Sequence, residues 1–128
     1  MRQDKIDQDH LLMMTGNDVE LAVEVLGIFR QQADTWGRLL DAGAEPDQWA
    51  DACHTIKGAA RGIGAEELAQ ACEAGETRGR TGDVSKTEAA VLISTVKDRL
   101  TETLEALAFV EHQLSSSAPL SASKDPNS

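Results

Sequence analysis

Aromatic residues are scarce in this chain: tyrosine is absent, and two tryptophans and two phenylalanines make up the 3% aromatic content. A core must therefore be built from aliphatic side chains and alanine, which the 41% hydrophobic content can supply. No stretch approaches the roughly 20 uninterrupted apolar residues of a membrane span. No cleavable signal segment opens the sequence, so a cytoplasmic protein that does not engage membranes is expected. The two cysteines, Cys53 and Cys72, make no disulfide framework, no C-x-x-C and no Cys/His cluster. They read as reduced neighbours in the core, and structural zinc is not expected.

Positive charge is also in deficit. Lys plus Arg number 12 against 22 Asp plus Glu, a formal net charge of -10. Sequence-independent nucleic-acid binding depends on cations that neutralise phosphates, so this balance argues against it. Neither a G-x-x-x-x-G-K-[ST] loop nor a D-x-G-x-G element occurs, which removes a nucleotide site and with it a kinase. The paired E-x-x-H motifs of di-iron bundles are missing too. Asp51 and His54 form a solitary D-x-x-H, while His10 and His112 have no ligand-spaced companions and read as solvated. No cofactor and no metal are expected.

What the chain does have is helical periodicity. Residues 4–14 suit a short first helix, and Gly16-Asn17-Asp18 reads as a stop followed by an N-cap. A long helix is expected over about 18–41, with Leu21, Val25, Ile28, Phe29, Trp36 and Leu40 at helical spacing. After the connector 42–46, Pro46 suits the first turn of a helix that ends at Gly62 or Gly64. Further helices follow over about 65–78 and 84–115, the last carrying Ala89, Ile93, Val96, Leu100, Leu104, Leu107, Val110 and Leu114 on one face. The expected fold is all-α: an antiparallel up-down four-helix bundle over residues 1–116 with a short extra N-terminal helix. Residues 117–128 lack periodicity and read as a disordered tail.

The segment 54–65, H-T-I-K-G-A-A-R-G-I-G-A, carries the chemistry. At about 100° per residue, Trp49, Cys53, Ile56, Ala60 and Ile63 form one apolar stripe. Asp47, His54, Lys57, Gly58 and Arg61 gather roughly 130–140° away by the same geometry, so His54 should face outward. Imidazole has a reference pKa of about 6.5, so much of it is neutral near that pH and able to attack phosphorus. Helical side chains lean toward the N-terminus, so a side chain at position 58 would lie over the ring. Glycine there costs roughly 1 kcal/mol against alanine, which suggests close approach by something else. Ala50, one turn earlier, is small enough for the ring to lie over. Lys57 can offset phosphoryl charge, and Arg61 extends a locally basic edge.

These residues resemble the signature of histidine-containing phosphotransfer (HPt) domains, H-x-[LI]-K-G-[SA]-[SA]-x-x-[LI]-G-A. His54, Ile56, Lys57, Gly58, Ala59, Ala60, Ile63, Gly64 and Ala65 all match it. Gly16-Asn17-Asp18 with Val19, Glu20, Leu21 and Phe29 resembles the opening of the family's first long helix. Leu68, Cys72, Glu76 and Arg78 resemble the helix after the histidine helix. Gly75 stands where the family usually carries a leucine-like residue, a departure that bears on the packing and straightness of that helix.

The resemblance implies a four-helix bundle with His54 as the phosphorylated residue, Lys57 supporting the phosphoryl group and Gly58 leaving room for a receiver domain. Ala50 and Arg61 are further candidate partner contacts. The implied activity is that of a phosphorelay intermediate, not an enzyme with its own substrate turnover. It would take a phosphoryl group from a receiver aspartate and pass it to, or take it back from, a response regulator. The implied partners are receiver domains of a hybrid histidine kinase or a response regulator, met by a monomer. A non-catalytic helical adaptor of the same fold and, more remotely, a metal site inside the bundle are the alternatives.

Overall fold

The computed structural model describes residues 5–123, and every regular element among them is an α-helix. The order is α1 (Gln8–Met14), α2 (Val19–Leu39), α3 (Pro46–Gly62), α4 (Glu66–Thr81) and α5 (Lys86–Ser123). Three helices, α1, α2 and α5, begin where a side chain supplies an acceptor. Asp7 and Asp18 each accept a backbone N–H at 3.1 Å, from His10 and Leu21, ahead of α1 and α2. Pro46 opens α3, where its missing N–H leaves nothing unpaired, and Ser85 Oγ accepts from Glu88 N at 3.0 Å ahead of α5. Gly82, at φ +70°, ends α4 in the left-handed conformation.

Two boundaries differ from the sequence reading. The Asp7 cap delays α1 to Gln8. At the other end α5 runs to Ser123, so residues 117–123 of the expected tail are helical, and 124–128 lie outside the described residues. Extending a formed helix adds a hydrogen bond for each residue ordered and needs no new nucleation, so an aperiodic segment can follow a strong one.

Helices α2 to α5 pack in sequence order, and α5 returns against α2, which closes a four-helix bundle. Its core runs through Leu26, Phe29, Trp36 and Leu40, through Trp49, Cys53, Ile56 and Ile63, and along α5 through Ile93, Val96, Leu107 and Val110. Phe29 and Trp36 meet edge to face at 5.1 Å between ring centres. The buried side of α2 is Ala22, Leu26, Phe29, Ala33 and Trp36, continued by Leu40 at its C-cap. Leu21 and Ile28, expected on that face, are 41% and 53% exposed. They sit about 100° around the helix, on the line that continues through Gln32, Thr35 and Leu39 along the α2–α3 groove.

The N-terminal segment clasps the α3–α4 turn. Asp7 N–H donates to Gly64 O at 2.9 Å, and His10 Nε2–H donates to Arg61 O at 2.9 Å. His10 is therefore held by the α3 C-terminus and is not the solvated residue its isolation in sequence suggests. Gly64 has φ +78°, and a Cβ there would lie 2.8 Å from Asp7 O.

Helices α3 and α4 make the most intimate contact in the bundle. A Cβ on Gly75 would lie 2.9 Å from Cys53 Sγ, and one on Gly79 would lie 2.8 Å from Trp49 Cζ3 and 2.9 Å from Ala50 Cβ. The leucine-like side chain missing at 75 is thus replaced by the body of α3 itself, and α4 runs unbroken through the position. Gly58 is the opposite case: nothing lies within 4 Å of where its Cβ would be. Alanine should therefore act with opposite signs at the two sites. In urea denaturation, Gly79→Ala should lower stability by about 1–3 kcal/mol through overpacking, and Gly58→Ala should raise it by up to about 1 kcal/mol.

Candidate functional site

The polar stripe of α3 lies outward as its spacing requires, with the His54 side chain 64% exposed. Its ring is nonetheless fixed. His54 Nδ1 lies 2.8 Å from Glu76 Oε2 on α4. A carboxylate only accepts, so Nδ1–H is the donor, and in the neutral tautomer the lone pair is on Nε2. The other oxygen of Glu76 accepts from Lys57 Nζ at 2.7 Å, and Lys57 also donates to Glu73 Oε1 at 2.9 Å. One carboxylate thus holds both the nucleophile candidate and its neighbouring cation.

The charges reinforce one another. The Lys57 hydrogen bond is the main influence holding Glu76 below the usual carboxylate range, overcoming the opposing effect of its burial. Glu73 is lowered chiefly by the same ammonium. Lys57 is raised in turn, first by Glu76 and then by Glu73. Arg80, from the next turn of α4, pairs with Asp51 Oδ1 at 2.7 Å and lies 3.8 Å from both Asp47 and the His54-bound oxygen of Glu76. Arg61 is half exposed, its nearest carboxylate being Glu73 at 3.8 Å.

Two expectations need correction. The stripe is not a basic edge: Lys57, Arg61 and Arg80 stand against Asp47, Asp51, Glu73 and Glu76, because α4 lays two glutamates over the lysine. Ala50 is not available to a partner. It is fully buried where α3 meets Gly79, so its small size serves helix packing. Gly58 faces open space beside the ring, and Arg61 remains exposed on the same side.

The Hpt domain family model matches residues 20–110, a span containing His54 and its hydrogen-bond partner Glu76. The chain belongs to the Hpt domain family. It is also similar to the crystal structure of histidine phosphotransferase ShpA from Caulobacter crescentus, at 32% sequence identity and a TM-score of 0.69. That match covers 90% of this chain and 98% of the other. No curated protein matches the chain. As a member of the Hpt family it belongs to two-component phosphotransfer signalling. Among the described residues, no helix is long and apolar enough to cross a membrane, and no three His, Cys, Asp or Glu side chains converge as a metal site.

Within this Hpt domain, Glu73, Glu76, Arg80 and Asp51 are the site residues whose contacts the sequence did not disclose. A signal was present. His54, Lys57 and Arg61 are spaced i, i+3, i+7 on α3, and Glu73, Glu76 and Arg80 have the same spacing on α4. Two such stripes on antiparallel neighbours face each other only if the helices are close, which the glycines of α4 ensure. Behind them Cys53 and Cys72 are buried free thiols, and the Cys53 thiol together with burial pushes Cys72 well up and keeps it protonated.

The depressed carboxylates fix the sign of a pH dependence. Glu73 and Glu76 stabilise the fold above the ordinary carboxylate value of about 4.3, and that contribution is lost as pH falls through their lowered values. Thermal unfolding across pH should show an acid limb below about 4.3 that is shallower in Lys57→Met, which lacks the ammonium responsible. The ring makes a separate prediction. Long-range proton–nitrogen NMR of neutral His54 should find the proton on Nδ1, and Glu76→Ala should yield a mixture of tautomers. A predominantly Nε2-protonated native ring would contradict the assignment.

Proposed function

We propose that the protein is a phosphorelay intermediate in which His54 Nε2 accepts a phosphoryl group from a receiver-domain aspartyl phosphate and passes it on to a second receiver, or returns it. The observation that carries this reading is the His54–Glu76 hydrogen bond, which leaves an outward, unprotonated Nε2 beside the gap at Gly58. In the transfer, the Nε2 lone pair attacks phosphorus, the P–O bond to the receiver carboxylate breaks, and aspartate leaves. Nδ1 keeps its proton throughout, so the phosphorylated ring is cationic and Glu76 balances it. No proton has to move, which suits a carrier that must run in both directions.

Lys57 acts largely through Glu76 in this scheme. With its side chain 16% exposed and two carboxylates on its ammonium, it steadies the carboxylate that steadies the ring. Arg80 and Arg61, with side chains 41% and 53% exposed, are the more accessible cations and would meet phosphoryl oxygens by leaving their carboxylate pairs. The receiver would rest on the surface running from His54 across Gly58 and Thr55 to the α2 line of Leu21, Ile28 and Gln32. Exposed aliphatic side chains beside an exposed nucleophile suit a docking partner, whereas a small-molecule site would be enclosed.

A transfer assay from a phosphorylated receiver tests the reading. His54→Gln should accept no phosphate, and Lys57→Ala should slow transfer by about 10²-fold with docking retained. Gly58→Gln should weaken docking and transfer together, since its side chain would lie over the ring. Ile28→Glu should weaken binding by about tenfold with the fold unchanged. Near-native transfer to the His54→Gln protein would sink the proposal.

A further inference from the structure

Arg80 is a partly exposed cation that reaches the carboxylate holding His54, and it is already engaged. Its Nη1 is 2.7 Å from Asp51 Oδ1, and Asp51 precedes His54 by three residues on α3. Side chains with that spacing are neighbours, about 5–6 Å apart at Cβ. The same guanidinium has Nη2 at 3.8 Å from Glu76 Oε2, the oxygen that holds the ring. Asp47, one turn earlier on α3, lies at 3.8 Å and is the weaker anchor. The Asp51 side chain is 72% exposed and has no structural partner apparent beyond Arg80 among the described residues.

We infer that Asp51 is a positioning residue that competes with the phosphoryl group for Arg80. The inference rests on the phosphocarrier reading of His54. With the ring unmodified, Asp51 keeps the guanidinium aimed across the nucleophile and neutralised. When a phosphoryl group reaches Nε2, its oxygens draw Arg80 away, and the Asp51 carboxylate is left uncompensated on the docking face. The cost of breaking that ion pair is charged to every phosphorylation event. Asp51 therefore holds phospho-His54 at a higher free energy than Arg80 alone would, which keeps it a good donor to the next receiver.

Phosphoramidate tests this without any receiver. In that reaction the P–N bond of the donor breaks, the Nε2–P bond forms, and the nitrogen leaves as ammonia. Asp51→Asn should accept phosphate about three- to fivefold faster than the native protein, the scale of a partly exposed ion pair. The phosphorus NMR titration of phospho-His54 should move to lower pH, because the freed Arg80 favours the dianion. In an Arg80→Gln background the same Asp51→Asn change should have no effect on either readout.

An Asp51→Asn gain that persists without Arg80 would mean simple repulsion and overturn the inference, as would no gain at all. Failure of the native protein to form phospho-His54 would instead overturn the carrier reading, and this inference with it. Thermal unfolding of each variant separates these outcomes from loss of the fold.

Discussion

The Glu76 carboxylate is the element on which the rest of the site depends. One oxygen accepts a hydrogen bond from His54 Nδ1–H and the other accepts one from Lys57 Nζ, so a single group sets the tautomer, orients the ring and immobilises the adjacent cation. A surface ion pair usually contributes little, since water competes and long side chains lose entropy. Here the side chains of both Glu76 and Lys57 are only 16% exposed. The exposed face of the ring is free because its inner nitrogen is occupied.

That arrangement is available only because α3 and α4 approach closely. Gly75 and Gly79 offer no side chain to α3, and Cys53, Trp49 and Ala50 fill the space directly. The contact aligns the acidic line of α4 with the basic line of α3. Glycine inside a helix costs about 1 kcal/mol against alanine, and at Gly75 and Gly79 the tight contact offsets it. At Gly58 no contact does. Identical residues thus play opposite parts, two to bring helices together and one to keep a surface clear.

The strongly acidic body and the near-balanced site have a common consequence. A chain of net charge -10 repels anions in general, and the cations beside His54 are each drawn toward carboxylates. Under the proposed function, a phosphoryl group reaching His54 would meet cations that must first be released from existing pairs.

Much of this was legible in the residues alone, because a helix of 3.6 residues per turn fixes which side chains share a face. The apolar stripe from Trp49 to Ile63, the outward His54, the gap at Gly58 and the helical bundle all follow from that period and from capping residues such as Asp18 and Pro46. Periodicity describes one helix at a time, however, and says nothing of what the neighbouring helix lays against it. The burial of Ala50, the exposure of Leu21 and Ile28, the capture of Lys57 by two glutamates and the pairing of Arg80 with Asp51 all depend on interhelical distance and register. Tertiary packing alone decided them, since electrostatic and van der Waals contacts fall away over a few ångströms, and between α3 and α4 that spacing is set by the glycines of α4.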